Sequence, residues 1–146
     1  MVFGLVVLMC GCEVGTTALS ESDISDDYNE EVKKSLRKLI LTGNCKECPF
    51  VGVDISGKDL SHRDLTGADL SKANLSQADL TGANLIRADL TKADLTEANL
   101  IRANLNGADL TFANLKGANM KNIRNLDSAI KCKTIMPWGE ENSGCK

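Results

Sequence analysis

Residues 64–80 read DLTGADLSKANLSQADL. Leucine stands at 65, 70, 75 and 80, every fifth position, and alanine stands two residues earlier at 68, 73 and 78, with Asp or Asn between. Neither regular secondary structure accommodates this spacing. Five residues turn an α-helix through about 500°, so successive leucines step about 140° around its surface and make no stripe. In a flat strand side chains alternate faces, and every fifth residue changes side. The period works if each five residues make one side of a coil, so that every leucine turns inward. The alanines then point inward too, where only a small side chain fits beside its neighbours. The residues between and after them face out: Asp, Asn, Ser, Thr, Lys and Gly.

The pattern extends in both directions. Marked by its large residue, it starts at Phe50 and Ile55, runs as leucine from 60 to 115 and ends at Met120, which makes fifteen repeats. A-[DN]-L-x-x carried this far resembles the pentapeptide-repeat family. The resemblance implies an all-β solenoid, a right-handed quadrilateral β-helix with four repeats per coil. Here that gives nearly four coils, in which residues twenty apart stack at about 4.8 Å. The layout is also similar to that of small exported members, of the thylakoid-lumen or periplasmic type. Those carry a helix, Cys-x-x-Cys, repeats and a cysteine-bearing tail; here these are VKKSLRKLIL, Cys45-Lys46-Glu47-Cys48, the repeats, and Cys132 to Cys145. The expected organisation is an apolar leader (1–12), an acidic linker (13–27), an N-terminal capping α-helix (28–43), the β-helix (44–126) and a C-terminal cap (127–146). After Met120 the segment KNIRNL has one residue too many to keep Leu126 in phase, which places the expected end of the β-helix there.

Composition agrees with burial through many small contacts, since the 146 residues include only 3% aromatics and 2 prolines. Net charge is −3, which steers the chain towards no particular partner. Residues 13–31 carry seven acids and no base, whereas residues 54–126 balance nine acids with nine bases. Basic stripes and aromatic platforms for nucleic acid are both missing, so no nucleic-acid partner is expected. The gyrase-protecting DNA mimics of the family imply a strongly acidic rod with a hydrophobic C-terminal helix. A neutral repeat region and a tail interrupted by Pro137, Gly139 and Gly144 depart from that pattern.

The run VFGLVVLMC at the start is uncharged. It is too short to span a bilayer, which takes about 20 residues, but has the length of a signal-peptide apolar region, without the basic residues before it. Met9-Cys10-Gly11-Cys12 resembles a lipobox, with Cys12 as the lipidated residue and the only expected means of membrane anchoring. Export is therefore expected, to a periplasm, a thylakoid lumen or a membrane surface; a cytoplasmic protein with an uncleaved apolar start is the alternative. Farther on, Val32, Leu36, Leu39 and Ile40 fall on one helical stripe, with Asp27 or Asn29 to cap its start and Gly43 to close it. Asp23-Ile24-Ser25-Asp26-Asp27 hints at a calcium loop but lacks the required spacing and glycine.

Cys45 and Cys48 precede the first coil, while Cys132 and Cys145 follow the last. The ends of nearly four stacked coils lie about 15–20 Å apart. No zinc, with bonds of about 2.3 Å, and no disulfide, with Cα atoms within about 7 Å, can join across that distance. Of three connectivities, Cys45–Cys48 with Cys132–Cys145 remains, and export favours both bonds. A catalytic dithiol at Cys45 and Cys48 is the alternative, although the thioredoxin-type βαβ context is absent. Asp69, Asp89 and Asp109 should line up as a column, with Lys72 and Lys92 on the same side making a charge-balanced ladder and no metal site. His62, the only histidine, faces out without an ordered acid and nucleophile and is not expected to be catalytic. Lys58 and Arg63 take inward alanine positions in the first coil, where long stems can reach out past the open end to Glu30 and Glu31. Ile86-Arg87, Ile101-Arg102 and Phe112 are outward apolar or cationic groups and form the candidate interaction surface. The expected protein is an exported, monomeric, non-enzymatic scaffold or interaction module with an unknown protein partner, no catalytic residue, no cofactor and no bound metal.

Overall fold

The structure, a computed structural model, describes residues 17–145. Its repeats are built by turns. In each, the N–H of the inward alanine donates to the carbonyl of the preceding leucine, as Ala68 to Leu65 and Ala83 to Leu80, both at 3.0 Å. The residue before each alanine has positive φ at every fifth position, without interruption from Glu47 to Asn122. Positive φ at the third residue is the mark of a type II turn. Between turns the Asp or Asn pairs in parallel with the residue twenty further on, in four columns, one of which is Asn44, Asp64, Asn84, Asn104 and Arg124. The rungs are closely spaced: Leu65 N–H donates to the Asn84 carbonyl at 2.9 Å, and Gly67 N–H to that of Ile86 at 2.8 Å. One pairing residue per repeat is too little for a named strand, so the regular strands are few and short. Together these columns form a β-helix solenoid.

The interior is as the period requires. Leucines 60 to 115 are fully buried, and the alanines from 68 to 113 are at most 1% exposed. Each leucine contributes at most about 1.5–3 kcal/mol, less what the compact unfolded chain already buries.

The upper edge is covered by more than a helix. Helix α1 (Glu30–Thr42) starts where Asn29 Oδ1 accepts from the Val32 N–H at 2.9 Å and ends at left-handed Gly43. It buries Val32, Ser35, Leu36 and Leu39, with Ile40 half-buried beside them. The segment before it, expected as a solvated linker, folds back from residue 17 onward. Strand β1 (Thr17–Ala18) pairs in parallel with β2 (Lys58–Asp59), Leu19 is buried, and the Tyr28 hydroxyl accepts from the Asp54 N–H at 2.9 Å. The physical reason is the first rung's exposed row of backbone donors and acceptors, which a neighbouring segment satisfies. Lys58 does reach out of the coil, but to Asp23 (2.7 Å) and the Thr17 hydroxyl (2.9 Å). Glu30 instead pairs with Lys33 at 3.3 Å.

At the lower edge the ladder runs on past residue 126. Arg124 still pairs with Asn104, but Ile130 pairs with Asp109 and Ile135 with Asn114, an offset of twenty-one. The extra residue is absorbed at left-handed Asn125 and a 3₁₀ turn over Leu126–Ser128. A tight turn can take up one residue where a straight rung cannot. The chain then forms a hairpin of β3 (Thr134–Met136) and β4 (Gly139–Glu141). Met136 plugs the interior at 1% exposure, the Thr134 hydroxyl donates to the Leu110 carbonyl at 2.7 Å, and the Lys131 ammonium donates to the carbonyls of Leu126 (2.8 Å) and Ala129 (3.0 Å).

Candidate functional site

The outward Asp and Asn residues are the first place to look for chemistry, and the fold already uses them. From Asp54 to Asn119, every one accepts a hydrogen bond at Oδ1 from the backbone N–H two residues on. This local turn is what short Asp and Asn side chains do well. Asp69, Asp89 and Asp109 belong to the series, donors Ser71, Thr91 and Thr111 lying at 2.9–3.0 Å. The charge-balanced ladder expected there is absent: among the described residues neither Lys72 nor Lys92 has a carboxylate oxygen within 4.0 Å. The carboxylates are held by the backbone instead.

Four carboxyls near the upper end are held below their ordinary range. For Asp54 the cause is the side-chain and backbone bonds from Ser56. For Asp59 burial acts upward, but Ser61 together with Arg63 and His62 outweighs it. Asp64 is likewise raised by burial and lowered more by Thr66 and by Lys46, whose ammonium lies at 3.3 Å. Burial raises Asp23, and Lys58 with Ser20 lowers it further.

The cysteines form two disulfides, Cys45–Cys48 with Cα atoms 5.4 Å apart and Cys132–Cys145 at 4.7 Å. Cys45 is fully buried beneath α1, its sulfur 3.2 Å from the Ser35 carbonyl oxygen. Cys48 borders a groove of about 460 Å³ shared with Glu31, Lys34, Lys38, Glu47 and Pro49. Cys145 is exposed and ties the tail to the last rung. Cys12 lies outside the described residues, as does the leader.

His62 is exposed in a left-handed turn position and stands over Gly82 of the next rung. Arg87, Arg102 and Phe112 are exposed, whereas Ile86 and Ile101 are only half-buried. They occupy three different turns: the turns of Ile86 and Ile101 flank the side through Asn84 and Asn104, and Phe112 sits on the next turn round with Lys133 5.3 Å above its ring. Three further exposed apolar groups, Ile130, Ile135 and Trp138, lie at the lower end, outside the periodic text.

The turns carry their own signal in the sequence. Valine, isoleucine and threonine fill the first turn position, as Val51, Thr66, Ile86 and Ile101, but never the second, which is left-handed. Branching at Cβ makes positive φ costly. Among the described residues no three His, Cys, Asp or Glu side chains gather as a metal site, and no helix is long and apolar enough to cross a membrane.

The family model for pentapeptide repeats matches residues 44–82 and 83–122 in 8 copies, together more than half of the chain. No curated protein matches. The pentapeptide repeat protein Rfr23 from the cyanobacterium Cyanothece 51142 is 28% identical at a TM-score of 0.53, covering 66% of this chain and 96% of its own. HetL from Nostoc sp. strain PCC 7120, involved in heterocyst differentiation regulation, is 34% identical at a TM-score of 0.35 over 66% of this chain and 50% of its own. A thylakoid-lumen protein of Arabidopsis thaliana is 33% identical at a TM-score of 0.44 over 65% of this chain and 66% of its own.

Proposed function

This chain belongs to the pentapeptide-repeat family, and from that premise we propose that it is an exported, non-enzymatic, monomeric scaffold that presents its faces to a protein partner. The observation that carries the reading is the use made of the polar exterior. Every Asp and Asn from 54 to 119 at the pairing position is engaged by a backbone N–H, so these acids serve shape. We read the four columns of pairings as the four sides of a right-handed quadrilateral coil, nearly four coils tall, with α1 and the β3–β4 hairpin as its caps.

Export is supported by the two disulfides, which persist in oxidising compartments, and by the uncharged run that precedes Cys12. Lipidation at Cys12 is the accompanying proposal for membrane anchoring. The test is fractionation of native cells, mass spectrometry of the mature N-terminus and of the cysteines, and cross-linking of partners. The reading expects a start at or beyond Cys12, no free thiol among Cys45, Cys48, Cys132 and Cys145, and a cross-linked protein. A cytoplasmic protein that starts at Met1 with four free thiols overturns it.

One observation favours a second reading. Cys48 borders an open groove lined by Lys34 and Lys38 together with Glu31 and Glu47, which gives a reductant or substrate polypeptide a place to approach the bond. A thiol-redox role would show as a Cys45–Cys48 potential near those of catalytic dithiols, above about −270 mV; a structural bond lies below about −300 mV. A gyrase-binding DNA mimic is disfavoured by the bases of the lower repeats, and a supercoiling assay decides it.

A further inference from the structure

The repeat region is neutral as a whole but not along its axis. Residues 54–98 carry eight acids against five bases, whereas residues 99–126 carry one acid, Asp109, against Arg102, Lys116, Lys121 and Arg124. The ladder places three of those bases around one turn. Arg102 N–H donates to the Lys121 carbonyl at 3.2 Å, which sets Ile101 and Arg102 directly over Lys121 and Asn122. Arg124 pairs with Asn104 on the side that begins after this turn. All three cations are exposed, and among the described residues none has a carboxylate oxygen within 4.0 Å.

The columns that flank this turn change charge on the way down. One reads Asp59, Asp79, Asn99, Asn119; the other reads Asp64, Asn84, Asn104, Arg124. The remaining columns keep Asp89, Asp94 and Asp109 at the same depth. Asn and Asp both make the local turn, Asp with the shorter bond: Ile101 N–H donates to Asn99 Oδ1 at 3.3 Å and Thr81 N–H to Asp79 Oδ1 at 2.9 Å. The local turn therefore does not require Asn at 99, 104 and 119. Replacing Asp there removes negative charge beside three cations and leaves an amide nitrogen able to donate.

We infer that the face formed by Ile101, Arg102, Lys121 and Arg124, with Asn99 and Asn119, binds a short acidic segment of a partner polypeptide. This rests on the interaction-module reading and names the partner's chemistry. The cations and amide donors fit carboxylates, and half-buried Ile101 offers one apolar contact. The segment is short because the cationic field is bounded: Asp59, Asp64 and Asp79 stand above it on the same two sides. A long nucleic acid along the rod, or a flat anionic bilayer against it, would meet those acids as well.

The test uses the full chain with its disulfides formed. A labelled Glu-rich peptide of about twelve residues with one leucine is followed by fluorescence anisotropy at low and high salt. Wild type should bind, and screening by salt should weaken binding. R102E/K121E should weaken it about tenfold or more, each exposed ion pair being worth up to a few-fold. N99D/N119D, which keeps the turn acceptors, should weaken it several-fold while the circular dichroism spectrum stays native. K72E/K92E, an equal charge change on another turn, should leave it unchanged. No binding by wild type, or equal loss in both Lys/Arg pairs, overturns the inference. So does tighter binding of single-stranded DNA or of phosphatidylglycerol vesicles at the same residues. Cross-links from native cells that map to a different face defeat this inference alone; the absence of any protein partner defeats the underlying reading too.

Discussion

The left-handed turn positions allow backbone cost and side-chain stacking to be measured separately. Gly52, Gly82 and Gly107 share φ values of +66°, +65° and +67°. A Cβ added at Gly52 meets nothing within 4 Å, and one at Gly107 meets Arg87 Cγ at an ordinary 3.6 Å, but one at Gly82 falls 2.7 Å from His62 Nδ1. Alanine at positive φ costs about 1–2 kcal/mol, offset by about 0.4–1 from the stiffer unfolded chain. Gly52→Ala and Gly107→Ala should therefore each destabilise by about 0.5–1 kcal/mol. Gly82→Ala must also displace the imidazole. His62 is exposed and can swing aside, so the added cost is that of a poor rotamer, about 0.5–1.5 kcal/mol. Urea unfolding should place Gly82→Ala about 1 kcal/mol below the other two, or about 3 °C in Tm for a chain of this size. His62→Ala/Gly82→Ala should recover that difference in a double-mutant cycle. Equal costs at all three glycines, or no rescue by His62→Ala, would refute the stacking of His62 over Gly82 and with it the twenty-residue register of this turn.

Three further outcomes follow from the same geometry. Leu85→Asp places a charge where the side chain is 0% exposed, and Ala83→Phe overfills a position of 0% exposure; each should unfold the coil stack, and a native circular dichroism spectrum with an unchanged melting point in both would sink the interior assignment. The carboxyls of Asp23, Asp54, Asp59 and Asp64 are lowered from 3.8, so the stability they confer is complete above that value and is lost as pH falls through the lowered ones. Amide exchange at Ser56, Ser61 and Thr66 should report loosening of the upper end below about pH 4, and constant protection down to about pH 2 counts against it. Cys132→Ser/Cys145→Ser opens a bond with a sequence separation of 13; it should cost about 3 kcal/mol and leave the repeat spectrum intact, so a cost near zero would mean the tail is held by β3 pairing alone.

Much of the interior was legible because one period governs it. Leu65, Leu70, Leu75 and Leu80 with Ala68, Ala73 and Ala78 announce one inward set, and the structure buries all of them. The exterior was harder to read, because outward-facing residues are not thereby free. Asp or Asn holds every pairing position from 54 to 119, and Glu never does, although Glu97 lies within the repeats. That restriction on length marks a side chain bonded to its own backbone, not a surface charge. Acids and bases balance in number over residues 54–126 but sit at different heights, which composition does not register. Lys58 and Asp23, thirty-five residues apart in sequence, meet only because β1 returns to β2, a contact that no local pattern encodes. The passage through the frame slip was hidden for a related reason. The sequence shows an extra residue between Met120 and Ile130, but whether it ends the ladder or is taken up in a turn depends on Asn125 adopting positive φ.

The two registers of this rod differ, and that difference has a use. Its interior repeats every five residues, since each leucine and alanine is interchangeable with the next, whereas its surface repeats only every twenty, when a column returns to itself. A deletion of one repeat would then leave the core chemically unchanged and turn everything below the cut by a quarter revolution. A deletion of four would shorten the rod and leave its faces aligned. Single-repeat deletions above it would thus set the basic residues around Arg102 at any of four bearings relative to α1, with no core residue redesigned.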